Sequence, residues 1–432
     1  MKKITSKVFI LILLFSEITF AQQNGYSLQS LINIALKKNT DIKIATAEKH
    51  VIQLEKTKAL SGLLPNLNAE GGYIYSEEKN GAPVYAGANG KNEILALLSL
   101  RQTIFDPKVI YNYKSSLVKT DEQSFLNKQT RQNVISEVIN AYFTVLKYKN
   151  EKKILTENLD AFRLMYKQSK LLFETGSVPE IDVKKSKVEL LLQKNALNQA
   201  NKNYITAINQ LKELTGMKWN EKLDVEEFHV SEVKLNSLIF YKNAAWENRP
   251  DWQIIKKQKQ LMKLNASAAF MKHLPTISAN LYYGWDTINS LDKNNIGFQA
   301  VITASIPLWH WGSVSAQHQI AEIKYRQTDY RMIRLKLRIL QEIENSYNEA
   351  KLQKEQISAM QESISEAKLA VKMARVGYKE GTITNLELIN TLKLYTQSEM
   401  EYLKALYNFY QAKAALFKSI GKLKEDLSWI EK

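Results

Sequence analysis

The chain has no cysteine. Disulfides, thiolate metal sites and a cysteine nucleophile are excluded, and so is acylation of an amino-terminal cysteine. Glycine and proline are scarce, 15 and 7 in 432 residues. Both break helices, so where they are missing matters most. None falls between Val109 and Thr175, or between Ser313 and Val376. Beyond the amino terminus no apolar run reaches the roughly 20 residues a spanning helix needs. Mean hydropathy is −0.32 and 24% of residues are charged, so the bulk of the chain faces water. Histidine is rare: His50, His229, His273, His310 and His318 are scattered without HExxH spacing. No glycine-rich phosphate loop occurs. The sequence offers no catalytic, cofactor or metal constellation, and predicts a protein that is not an enzyme.

What is present is helix of unusual length. From Val109 to Thr175 apolar residues recur three and four apart, as in Ile135, Val138, Ile139, Tyr142, Val145 and Leu146, which is helical spacing. At about 1.5 Å per residue, 109–175 and 313–376 are rods of roughly 100 Å. A single globular core needs no rod of that length, so these bridge or line something. The surrounding sequence occurs twice. Ala35, Asp41 and Leu64-Pro65 match Ala245, Asp251 and Leu274-Pro275; Phe105, Gly176 and Gly216 match Trp309, Gly381 and Gly421. A constant offset that changes only in a loop indicates internal duplication.

The amino terminus, 1–21, reads as a secretory signal peptide: Lys2, Lys3 and Lys7 precede an apolar run to Phe20 that is too short to span. A net charge of +16 and pI of 9.4 raise nucleic-acid binding. The lysines are interleaved with acids, as in Glu151-Lys152-Lys153. That is the pattern of solvated helix faces, and no nucleic-acid partner is expected.

Ser27 to Leu64 reads as one helix stopped by Pro65. After it Leu67, Ala69, Gly71, Tyr73 and Tyr75 alternate with Asn66, Asn68, Glu70 and Gly72, a strand with one apolar and one polar face. Further strands are predicted at 94–105, 276–286 and 298–308. The first repeat thus covers 22–220, with strands at 66–76 and 94–105, the long helix 109–175, a tip at 176–179 and a return helix 180–215. A linker, 217–237, belts the rods. The second repeat covers 238–421, with the long helix 313–376, a tip at 377–384 and a return helix to 420; 422–432 is a tail. Each strand has the length of a transmembrane β-strand, about 9–11 residues. Tyr73, Tyr75, Tyr283 and Trp285 toward the loops, and Phe105, Trp309 and Trp311 toward the helices, sit where interfacial aromatics belong. Four strands cannot close a barrel, and a sheet edge cannot face lipid. At least two chains must contribute, and spacing does not fix the number.

Leu28-Gln29-Ser30-Leu31 with Ala35 to Asn39, the two Leu-Pro strand starts, Ile306-Pro307-Leu308-Trp309 before Gly312, and two glycine-plus-acid tips resemble the TolC-like outer-membrane efflux proteins. The resemblance covers nearly the whole chain after the signal peptide. It implies a mixed α/β membrane protein: a homotrimer with a transmembrane β-barrel of four strands per chain, continued by a long periplasmic α-helical barrel. It implies an outer-membrane location in a Gram-negative bacterium. It also implies a periplasmic adaptor and an inner-membrane pump as partners, with outer-membrane lipid around the barrel. At the tips, spacing alone leaves Asp182 and Glu387 as either ordinary first-turn acids or rings of carboxylates around an axis. The resemblance places Glu387 in the lining of a closed entrance, and Tyr378 with Asp182 in the contacts that hold it shut. Related proteins carry an arginine and an aspartate where this chain has Ile383 and Asn390. Gly176, Ser177, Val178, Gly381, Thr382 and Ile383 form small apolar turns suited to docking the adaptor. The expected function is a passive exit duct. The competing reading is an exported coiled-coil scaffold without a channel.

Overall fold

The computed structural model describes residues 25–84, 91–228, 235–287, 294 and 296–424. The signal peptide, His229, part of the linker and the end of the tail lie outside the described residues. Two helices, α1 (Leu28–Lys38) and α2 (Thr40–Ser61), stand where one was expected. The break is Asn39, with ψ of 139°. Its side-chain oxygen accepts the Asp41 amide at 2.8 Å and its Nδ2 donates to the Leu214 carbonyl at 2.9 Å. Asparagine competes with helix by bonding nearby backbone, and here it caps α2.

Strands β1 (Asn66–Tyr75) and β4 (Asn92–Phe105) follow, with a short ribbon, β2 (Glu78–Lys79) and β3 (Ala82–Pro83), between them. Helix α3 (Pro107–Glu174) then runs for 68 residues. It starts two residues earlier than predicted, because proline suits the first helical position and Asp106 caps it by accepting the Lys108 amide. The return helix is α4 (Glu180–Thr215). The same order recurs: α5 (Leu238–Asn248), α6 (Pro250–Phe270), β5 (Thr276–Thr287), β6 (Gly297–Ser305), α7 (Ser313–Lys379) and α8 (Asn385–Ser419). The break between α5 and α6 falls at Arg249, which Pro250 drives out of helical geometry. Two expected limits move. Strand β6 stops at Ser305, leaving Ile306–Leu308 outside it, since Pro307 has no N–H for a ladder. Helix α7 continues through Gly377 to Lys379, so the second tip is shorter than 377–384; one glycine costs a helix only about 1 kcal/mol.

Helices α2 and α4 lie along α3, and α6 and α8 along α7; α3 also touches α6 and α8. The Asn39–Leu214 bond marks where the stacked pair α2 and α4 meets. The main core sits at mid-height. Val134 to Leu146 of α3 bury against Leu31 and Ile32 of α1 and Phe409 and Tyr410 of α8. The linker wraps this level: the Tyr142 hydroxyl donates to the Glu226 carbonyl and Phe228 packs edge-on to Phe143. A smaller core near the tips joins Phe162 and Met165 to Val371, Tyr378, Leu388 and Leu392.

The sheet has the order β1-β4-β5-β6, all antiparallel. Directly opposed residues share a face. The register therefore aligns Leu67, Leu100, Leu281 and Ala300 in one row and Tyr73 with Ile94 in another. The opposite face carries Asn66 with Arg101 and Asn280, and Asn68 with Ser99, whose hydroxyl donates to Glu70. A bulge between Thr103 and Phe105 reverses the alternation, bringing Phe105 opposite Ile277 on the apolar face. Among the described residues, both β1 and β6 have an unpaired side.

Candidate functional site: the helical tips

Both tips close by the same hydrogen bonds. The Ser177 amide reaches the Leu172 carbonyl and the Thr382 amide the Gly377 carbonyl, each at 2.8 Å. These are six-to-one bonds with a left-handed glycine, Gly176 at φ 73° and Gly381 at φ 76°. Beyond the second turn, the Thr384 hydroxyl accepts the Glu387 amide and starts α8.

Between the tips lies a buried polar cluster. The Ser169 hydroxyl of α3 lies 2.9 Å from that of Ser186 on α4 and 3.1 Å from the Tyr378 hydroxyl on α7. Asn385 of α8 sits among them. Its amide donates toward Ser186 at 2.9 Å and Ser169 at 3.1 Å. The Asp182 carbonyl and the Tyr378 hydroxyl lie just beyond, both at 3.3 Å. All four helices meet at this one point, and Ser169, Ser186 and Asn385 are at most 1% exposed. A buried, bonded network fixes a single arrangement of the helices that supply it. Nearby, burial and the Glu399 carboxylate push the Tyr395 phenol up to about 12, and it donates to Glu399 at 2.7 Å.

The expected Tyr378–Asp182 bond takes another form. Tyr378 is buried as a latch requires, but its hydroxyl meets Ser169 and Asn385. Asp182 joins through its main-chain carbonyl, which accepts from Ser186 and Asn385. Sequence reasoning missed Ser169, Ser186 and Asn385, because serine and asparagine on a polar helix read as surface. Glu387 is exposed, and so is Asn390. Gly176, Ser177, Gly381 and Thr382 are exposed, whereas Val178 and Ile383 are half-buried, Ile383 against the tip core. The exposed apolar surface here belongs instead to Phe173, Ile181, Val376 and Leu386.

At the other end, Tyr73, Tyr75 and Tyr283 are exposed on the apolar face of the sheet, with Trp285 in its register. Trp309 and Trp311 follow β6, 72% and 89% exposed, their rings 5.9 Å apart. Among the described residues no group of histidines and carboxylates could hold a metal ion.

The profile of the outer membrane efflux protein family matches residues 31–217 and 242–422. The chain belongs to that family. Among related proteins, the outer membrane protein TolC of Escherichia coli K12 is 24% identical over 92% of this chain and 83% of its own. The cation efflux system protein CusC of the same organism is 22% identical over 91% of this chain and 86% of its own. The Campylobacter jejuni CmeC outer membrane channel superposes with a TM-score of 0.81 at 18% identity, over 92% of this chain and 86% of that one. An outer membrane efflux protein of this fold carries a β-barrel continued by a long helical barrel. It serves as an outer-membrane exit duct for efflux and secretion systems. These relatives are channel proteins, not enzymes, and the scaffold reading gives way to the channel.

Proposed function

We propose that three copies of the chain close one duct, with the sheets in the outer membrane and the helices in the periplasm. One observation carries this: a four-stranded sheet, apolar on one face and polar on the other, with both edges unpaired. An edge in lipid must be paired. The edge of β1 continues from α2, and the edge of β6 continues into α7, so the two free sides of the chain are different surfaces. Different surfaces join head to tail and close into a ring. Three copies of four strands give a twelve-stranded barrel. Mass measurement of the detergent-solubilised outer-membrane particle tests it; a monomer or dimer as the sole species overturns it.

The tips form the periplasmic entrance in this reading, and the chain is not lipidated. The Ser169–Ser186–Tyr378–Asn385 cluster holds the two hairpins together and keeps the entrance narrow. Asn385→Leu removes the donor shared by the cluster and is expected to raise the open fraction in planar bilayers. Tyr378→Phe should do so more weakly, and Asp182→Ala should add little, because Asp182 contributes a main-chain oxygen. Equal closure in the Asn385→Leu variant and wild type rejects the latch. Exposed Glu387 faces the axis, where three carboxylates favour cations. Glu387→Gln is expected to lower cation preference, read as a shift of reversal potential across a KCl gradient.

The duct takes its cargo from an adaptor and an inner-membrane pump, the adaptor docking on the turns at Gly176–Val178 and Gly381–Ile383. The names of relatives, a cation efflux system protein, a toxin and drug export protein and a protease secretion protein, support that class of partner. A photoreactive residue at Ser177 or Thr382, both exposed, should capture a periplasmic adaptor in living cells. Capture of no envelope transport component from either position counts against docking there.

A further inference from the structure

The free sides of α2 and α7 carry matching heptads. On α2, Ile44, Ala47, Val51 and Leu54 are exposed and lie off the α3 contact, which is made by Ile42 and Ala59. On α7, Ile320, Ile323, Tyr330 and Leu337 are exposed and lie off the α6 contact, where Thr328 is buried. The α2 set is spaced three and four residues apart. The α7 set is spaced three and then seven, with Gln327 and Arg334 at the intervening positions, so both follow a heptad line along one helix face. Neither seam has a partner among the described residues.

Charge follows the same period. Asp41, Glu48 and Glu55 occupy the heptad position flanking the α2 seam, at i, i+7 and i+14. Lys324, Arg331 and Arg338 occupy the corresponding flank of the α7 seam, each directly after Ile323, Tyr330 or Leu337. All six are exposed, and none forms an ion pair with a described residue. A helix drifts only about 20° per heptad, so each trio stays on one line. The two helices run in opposite directions, one leading into β1 and the other away from β6. In an antiparallel pair, the flank just past the seam of one helix faces the same flank of the other.

Height agrees with charge. Gly62, which caps the end of α2, lies beside Val109 of α3. Counting along the opposed helices from there brings the middle of α2, near His50, level with Asp121 of α3. Asp121 accepts Lys257 of α6 at 2.7 Å, and two residues on Lys259 bonds Asp329 of α7 at 2.6 Å. Arg331 therefore lies level with His50, two residues or about 3 Å along the helix from Glu48 and within reach of its side chain. The flanking pairs follow one heptad to either side.

We infer that neighbouring copies of this chain are locked in register by an ion ladder: Asp41 to Arg338, Glu48 to Arg331 and Glu55 to Lys324, each acid on α2 and each base on α7 of the next copy. The inference rests on the ring proposed above. The ladder gives the helical wall a register of its own, independent of strand pairing. A slip by one heptad leaves an acid and a base unmatched at opposite ends.

The absence of cysteine makes the test clean. Two residues facing across a coiled-coil flank are too far apart for a disulfide, so the probe is a short bis-maleimide. It is applied to the full-length Glu48→Cys, Arg331→Cys protein in outer membranes. The expected result is a covalent trimer on denaturing gels, with each single variant remaining monomeric. Glu48→Cys with Lys324→Cys, one heptad out of step, should not crosslink. A second measurement reads the charges: Arg331→Glu should lower the temperature at which the particle dissociates in SDS, and adding Glu48→Arg should restore it. Native mass separates the two ideas. A trimer that fails to crosslink at 48 and 331, or crosslinks only out of step, overturns the ladder and leaves the ring standing. A particle that is not a trimer overturns both.

Discussion

Replacing Arg249 with alanine is expected to destabilise the folded chain by about 3–5 kcal/mol, the usual cost of removing one partner from a buried charge pair. Arg249 stands in the break between α5 and α6, 7% exposed. Its guanidinium donates to both oxygens of Asp251, at 2.9 and 2.6 Å, to Glu342 of α7 at 2.8 Å and to the Ser419 carbonyl of α8 at 2.7 Å. Burial works against the charge, but the bonds to Asp251 and the Glu342 carboxylate outweigh it and raise the pKa further. One side chain thus joins three helices at mid-height. Without it, the Ser419 carbonyl at the end of α8 loses its partner and Asp251 keeps an uncompensated charge. Urea unfolding of the purified protein followed by circular dichroism reads the loss. A second variant, Arg249→Met with Asp251→Asn, removes both charges and should recover part of it, since a well-packed neutral pair often matches a buried ionic one. A change below about 0.5 kcal/mol, the range of ordinary surface substitutions, would mean that the junction is held elsewhere.

Gly284→Ala should nearly abolish the barrel. Gly284 pairs with Leu97 in the centre of the sheet at φ 149°, a backbone conformation that residues with a Cβ rarely adopt. An added Cβ would fall on the Ala96 carbonyl oxygen and within 3.0 Å of Leu97 Cα. These are backbone atoms of β4 and cannot move aside without parting the strands. For the trimer proposed above, the expected outcome is at least a tenfold drop in the amount recovered from the outer membrane, judged on unheated gels. Gly297, opposite Gly284 on β6, is the matched control: a Cβ there meets nothing within 4 Å. Gly297→Ala should assemble normally. Equal recovery of both variants would refute the steric account.

The long rods were legible because their cause is compositional. Without glycine or proline nothing stops a helix, and the observed ends of α3 fall within two residues of the expected ones. Alternation likewise exposed the two-faced strands. What escaped the sequence depends on contacts between distant residues. Asn39 can sit in a helix or cap one, and only the nearby Leu214 carbonyl decides it. The bulge that turns Phe105 to the apolar face comes from register against β5, which alternation in β4 does not contain. At the tips, Tyr378 was marked by resemblance, but Ser169 and Asn385 are 216 positions apart. They gain meaning only when α3 and α8 meet.

The unpaired edges also bear on life before assembly. A single chain leaving the translocation channel carries two sticky sides, each able to take another copy but not itself. Growth by such sides has two endings: a ring, if the turn per copy divides the circle, or an open filament, if it does not. In the three-copy ring proposed above, closure removes both edges when the third copy joins. Any fault that alters curvature, even with both surfaces intact, turns the same chemistry toward polymer. Synthesis that outruns membrane insertion should therefore yield insoluble chains of copies, not a pool of inert monomer, and the periplasm must either keep the free chain scarce or cover its edges.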